Sequence, residues 1–280
     1  VGTTNANVLF GATVNSADTT VHDLTVNTGS GNIRFAATVG AIQALDAVAL
    51  NSTGDTRLDA SLNVGSLTTN AGGTSLLNGG TITSVGAVTF NDNVTLGADL
   101  TVGTTNANVL FGATVNSADA TARDLTVNAG SGNIRLASTV GATQALNAVA
   151  LNSSGETHLD GSMNVSSLTT NTGGTSLLNG SSITSVGAVT FNDNVTLGAD
   201  LVLDTTNAAV LFNGTVNSAD ATARDLTVNT GSGNIRFAAT VGATQALDAV
   251  ALNSSGETRL DGSMNVGSLT TNAGGTLALN

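Results

Sequence analysis

The chain has 280 residues, with no Pro, Cys, Trp, Tyr or Lys, and 40% hydrophobic residues against only 9% charged ones. Seven Arg against nineteen Asp plus Glu leave a net charge of -12, which makes nucleic-acid backbones and anionic membrane surfaces poor partners. The composition also excludes disulfide staples, thiol chemistry, a membrane-spanning helix, and a membrane barrel with Trp and Tyr girdles.

In chain order, the first predicted strands are Val8-Leu9-Phe10, Ile33-Arg34-Phe35, Thr56-Arg57-Leu58, Ser75-Leu76-Leu77 and Val94-Thr95-Leu96, each alternating so that its first and third residues face inward. Each is followed by a second apolar beat: Val14, Val39, Leu62 with Val64, Ile82, and Leu100 with Val102. A third beat reads Leu24-Thr25-Val26-Asn27, Val48-Ala49-Leu50-Asn51, Leu67-Thr68-Thr69-Asn70 and Val88-Thr89-Phe90-Asn91, with Thr104-Thr105-Asn106 as an abbreviated version in the shortest coil. Three short strands per turn of about 20 residues, punctuated by Gly, Asn and Ser, predict an all-β right-handed parallel β-helix, or β-solenoid. The absence of Pro fits, because a ladder needs nearly every backbone N–H as a donor.

Val1 to Phe10 returns as Val102 to Phe111, and Thr205-Thr206-Asn207 through Phe212 returns once more, a spacing of 101 residues. The expected organisation is one continuous solenoid, 1–280, built from copies 1–101, 102–202 and an incomplete 203–280, and cut from a longer chain that carries any secretion signal. Five coils of 15 to 24 residues fill one copy on this reading, so each copy adds whole coils in register.

An asparagine closes the third strand of every coil: Asn5, Asn27, Asn51, Asn70, Asn91, Asn106, Asn128, Asn152, Asn171, Asn192, Asn207, Asn229, Asn253 and Asn272. That counts about 14 coils and a rod of roughly 65 Å. Stacked at one corner these amides form a ladder; the alternative is that each turns its own backbone locally. Phe10, Phe35, Phe90, Phe111, Phe191, Phe212 and Phe237 are the predicted inward core. The long connections Asn15 to Asp23 and Gly40 to Asp46 predict a ridge repeating every five coils.

Candidate chemistry is sparse. His22 aligns with Arg123 and Arg224, and His158 with Arg57 and Arg259, so the histidines read as surface polar positions and not as catalytic or metal-ligating ones. Asp18 and Asp23 recur as Asp119, Asp124, Asp220 and Asp225, and Asp92 as Asp193. These acids are calcium candidates that fall short of the six to eight oxygens the ion takes, and otherwise read as solvated turn residues. A carbohydrate-cleaving β-helix would need a unique cluster of carboxylates and bases, whereas every polar feature here is repeated. No catalytic residue, cofactor or metal ligand is assigned, and the chain is not expected to be an enzyme.

Ser66-Leu67-Thr68-Thr69-Asn70-Ala71-Gly72-Gly73-Thr74 and Val94-Thr95-Leu96-Gly97-Ala98-Asp99-Leu100 resemble the repetitive shafts of filamentous-haemagglutinin-like proteins, large bacterial surface exoproteins exported by two-partner secretion or as autotransporters. The resemblance covers the whole chain and implies a right-handed β-helix, secretion across an outer membrane, and a role in adhesion or surface structure at the cell surface. The Asn-Pro-Asn motifs of that family's secretion domain are absent, since the chain has no Pro. The expectation is a rigid extracellular spacer in an adhesin or surface fibre, whose partners are the rest of its own chain and a host or neighbouring-cell surface, without nucleic acid or membrane insertion. The alternative is a self-assembling subunit of a sheath, surface layer or filament, joined end to end or laterally through unpaired strands.

Overall fold

The computed structural model describes all 280 residues and is all-β, with parallel strands stacked as a right-handed β-solenoid of about 13 turns. Short strands alternate buried and exposed side chains, as in Ile33–Phe35, where Ile33 and Phe35 are buried and Arg34 faces out. The chain divides into two compact units, Val1–Leu146 and Asn147–Asn280. The division falls inside the second copy and not at a copy boundary. Each turn bonds only to its neighbours, so the repeat in sequence does not by itself define a compact unit.

In the first unit, three sides of the coil can be followed as columns of paired residues. One runs Val8, Ile33, Thr56, Ser75, Val94, Val115. A second runs Val14, Val39, Leu62, Ile82, Val102, Val127. The third runs Leu24, Val48, Leu67, Val88, Val109, Ile134. Val109 is the counterpart of Val8 one copy on, yet it stands in the third column. Val115, the counterpart of Val14, stands in the first.

One copy therefore covers fourteen sides of a three-sided coil, or four and two-thirds turns, in place of the five whole coils expected. This is also why about 13 turns replace the expected 14. The discrepancy lies at Thr104-Thr105-Asn106. These residues form a corner and not an abbreviated third strand. The strand Leu100–Thr104 ends there, Thr104 Oγ1 donates to Ala107 O at 2.6 Å, and Asn106 takes φ 57°. The chain then enters Val109–Phe111 directly as the third side.

The second unit shows the same offset by itself. Thr157 heads a column with Ser176, Val195 and Val216, while its counterpart Thr258 stacks on Ile235, Val210 and Val189.

The interior is apolar where sides face one another and polar along some corners. Phe35, Phe90, Phe111, Phe191, Phe212 and Phe237 are all at most 1% exposed, and Phe10 is half-buried on the first turn. Neighbouring rings stack: Phe10 on Phe35 at 4.5 Å, Phe90 on Phe111 at 5.4 Å, Phe191 on Phe212 at 5.4 Å, and Phe212 on Phe237 at 4.7 Å. Offset stacking of this kind adds about 0.5–1.5 kcal/mol to the area each ring buries. Thr56 and Thr157 occupy inward positions in their columns, and their hydroxyls are buried without a partner.

Candidate functional site

The outward polar residues gather into three recurring arrangements. The first is a clamp of two arginines on one aspartate. Parallel register sets Arg34 directly opposite Arg57, and such like charges would repel if left alone. Asp59 accepts from Arg34 Nε at 2.7 Å, from Arg57 Nε, and from Asn78 Nδ2 at 2.6 Å. Burial opposes ionisation of Asp59, but the bonds from Asn78, Arg57 and Arg34 overcome it and hold its pKa below the usual carboxylate value. In the second unit Asp261 holds Arg259, Asn280 and Arg236 in the same way, with its pKa well below the usual range.

The second arrangement is the stitched loop pair. Asn15 Oδ1 accepts from Ile42 N at 2.9 Å, Asp23 Oδ1 accepts from Ala47 N at 3.1 Å, and Asp18 Oδ1 accepts from Thr20 N at 2.8 Å. The carboxylates proposed for calcium thus cap backbone N–H groups, and no group of three or more His, Cys, Asp or Glu side chains converges in the structure. His22 lies 3.8 Å from Asp18, and its counterparts Arg123 and Arg224 pair with Asp119 and Asp220 at 3.4 and 3.3 Å. His158 contacts Glu156 at 3.0 Å on the surface.

The expected ridge does not keep to one edge. The loop after Val14 joins the second side to the third, whereas the loop after Val115 joins the first to the second. The fractional copy moves it by one corner.

The third arrangement is the corner amides, and the single ladder expected of them resolves into different devices. Asn51 Nδ2 donates to Asn27 Oδ1, and Asn253 Nδ2 to Asn229 Oδ1, both at 2.8 Å; Asn229 in turn donates to Asp204. Asn213, which the sequence reading did not include, donates to Asn192 Oδ1 at 2.8 Å. Asn70, Asn171 and Asn272 instead accept from the backbone N–H groups of Ser52, Ser153 and Ser254. Asn91 and Asn192 donate to the carbonyls of Thr69 and Thr170. Asn128 pairs by register with Gly103, so no amide stands below it in that column. Asn152 lies in the strand Leu146–Ser153.

Asn5, Asn106 and Asn207 form a separate class, with φ of 58°, 57° and 56°. Their side-chain oxygens accept from Ser30, Ser131 and Ser232 N. Asparagine is among the few residues that enter this left-handed region readily. Each sits against a glycine of the next turn; a Cβ at Gly130 would lie 2.3 Å from Asn106 Oδ1. The recurring letter Asn therefore hides more than one conformation, which spacing alone does not separate.

Asp92 and Asp193 are not the solvated turn residues expected; they are 1% and 2% exposed. Burial raises the pKa of each, partly offset by bonds from Gly73 N and Ser75 Oγ to Asp92, and from Gly174 N and Ser176 Oγ to Asp193. Their Asn-Asp-Asn setting reads as a surface turn. The available signal was Ser75 and Ser176, polar residues at positions that the strand alternation turns inward.

Two surface grooves lie beside these arrangements. One of about 320 Å³ is lined by Thr38, Ala41, Ser61, Asn63, Thr81 and Thr83, and offers hydroxyl and amide groups without a titratable side chain. The other, of about 160 Å³, lies along Leu211, Arg236 and Arg259 with Glu257 as its carboxylate. Neither pairs two carboxylates or sets a nucleophile beside a base. No family model, no curated protein and no solved structure matches the chain.

Proposed function

We propose that the chain is a spacer: a stiff shaft segment of an extracellular bacterial adhesin or surface fibre. The observation that carries this reading is that the recurring polar side chains are already engaged in holding one turn to the next. Asp59 and Asp261 saturate on arginine and amide donors, the loop carboxylates cap backbone groups, and the corner amides bind backbone or one another. A parallel stack of this kind transmits position along its axis and holds no convergent chemistry in reserve.

The test is deletion of residues 102–202. This removes fourteen sides and joins Thr101 to Leu203, the counterpart of the residue that follows it now, so the ladder continues. The product should fold and reach about 22 Å less, at about 4.8 Å per turn. A spacer loses reach but keeps adhesion carried elsewhere in the native protein when surfaces are brought close. Loss of adhesion at every distance, or cleavage of a polysaccharide by this segment alone, contradicts the reading.

A further inference from the structure

The fractional copy bears on what the surface can contact. Within the first unit, Asp18 and Asp119 are counterparts, with side chains 67% and 60% exposed, yet their loops leave the coil from different sides. Within the second, Glu156 and Glu257 are exposed counterparts that also lie on different sides. Fourteen sides per copy is one side short of the fifteen that make five whole turns of a three-sided coil. Three successive copies are thus needed before a feature returns to the side it left.

Resting on the shaft reading above, we propose that this phasing, with the acidic surface, is a device against lengthwise pairing of two shafts. Two rods laid together need one face to repeat along its length; here the loops and arginine clamps leave that face after every copy. Charge acts in the same direction, because a chain at -12 repels its own kind. The arginines that could bridge to a second chain's acids are largely committed internally: Arg34 and Arg57 to Asp59, Arg123 to Asp119, Arg224 to Asp220, and Arg236 and Arg259 to Asp261.

The experiment has two arms on the full chain. In the first, Asp18→Cys and Asp119→Cys carry spin labels. Placement on different edges gives a separation well beyond the ~24 Å that five whole turns would set between labels on one edge, while a separation of that size or less overturns the phasing. In the second, duplicating residues 93–99 and 194–200 adds one side to each complete copy and restores five whole turns. With charge screened by high salt, light scattering should show the native chain free of side-by-side association and the in-phase variant associating. Lateral dimers of the native chain overturn the proposal, as does a folded in-phase variant that stays apart. If the variant does not fold, the label distance and the native chain's own association state decide.

Discussion

Val94 pairs with Val115, twenty-one residues on, and not with Val109, the residue that repeats Val8. This single register changes the meaning of the repeat. A unit of whole coils would stack like on like, so that Phe10, Phe111 and Phe212 would share one column. Instead each copy places its residues against a different stretch of its neighbour. Phe90 stacks on Phe111, and Phe191 on Phe212, across the two copy junctions.

Those junction pairs carry the first prediction. Phe90→Ala opens a cavity under Phe111 and should cost about 3–5 kcal/mol, whereas Phe90→Leu should cost under about 1.5 kcal/mol. Urea denaturation followed by circular dichroism measures both. Leu136, the counterpart of Phe35, is already 1% exposed in the core, which shows the volume the interior accepts.

The unpartnered hydroxyls give a prediction of opposite sign. Thr56→Val and Thr157→Val replace a buried, unsatisfied group by an apolar isostere; Ile33 lies next to Thr56 in its column, and Val195 stands two turns from Thr157. Each should stabilise the fold by about 1 kcal/mol. A loss of stability would mean that a water satisfies the hydroxyl.

Asn106 should discriminate by conformation and not by hydrogen bonding alone. Asn106→Gly keeps the left-handed turn and loses one side-chain acceptor. Asn106→Ala loses the acceptor and also pays about 1–2 kcal/mol of backbone strain, so it should be the more damaging of the two. At Asn51 the order reverses, because its role is the bond to Asn27 and Gly there adds chain entropy without relieving strain.

Most of the architecture was legible in the residues. Alternation placed Phe35, Phe90 and Ile33 inward and Arg34 outward, and the three beats per turn are the three sides. The phase of the copies was not legible, because Thr104-Thr105-Asn106 has the same letters as a strand end while its Asn106 is left-handed. Asp92 was misread for a related reason: a turn sequence marks the backbone bend, not whether the bend faces water. The clamp on Asp59 was not legible either: only Arg57 lies near it in sequence, while Arg34 and Asn78 come from the turns on either side and only the register brings them there.

The two kinds of carboxylate predict opposite responses to acid. Asp59 and Asp261 have lowered pKa values, so the stability they contribute is full above the unfolded value of about 3.9 and disappears as pH falls through their folded values. Asp92 and Asp193 have raised values, so the fold gains as pH falls through their folded pKa toward about 3.9. Asp92→Asn with Asp193→Asn should therefore leave stability at neutral pH unchanged or higher and abolish the gain on mild acidification. Asp59→Asn should weaken the chain at neutral pH and flatten its loss below about pH 4. Urea midpoints across pH 3 to 7 separate the two.

The register itself is the most direct test of the whole account, and the chain's lack of cysteine makes it clean. Thr95 and Asn116 are paired outward residues on adjacent turns, within the ~4.4–6.8 Å Cα separation a disulfide spans. Thr95→Cys with Asn116→Cys should cross-link on mild oxidation without loss of the β-sheet signal. Thr95→Cys with Leu110→Cys, the pair that five whole coils per copy would bring together, should not. A cross-link in the second variant and none in the first would contradict the four-and-two-thirds-turn copy and everything built on it.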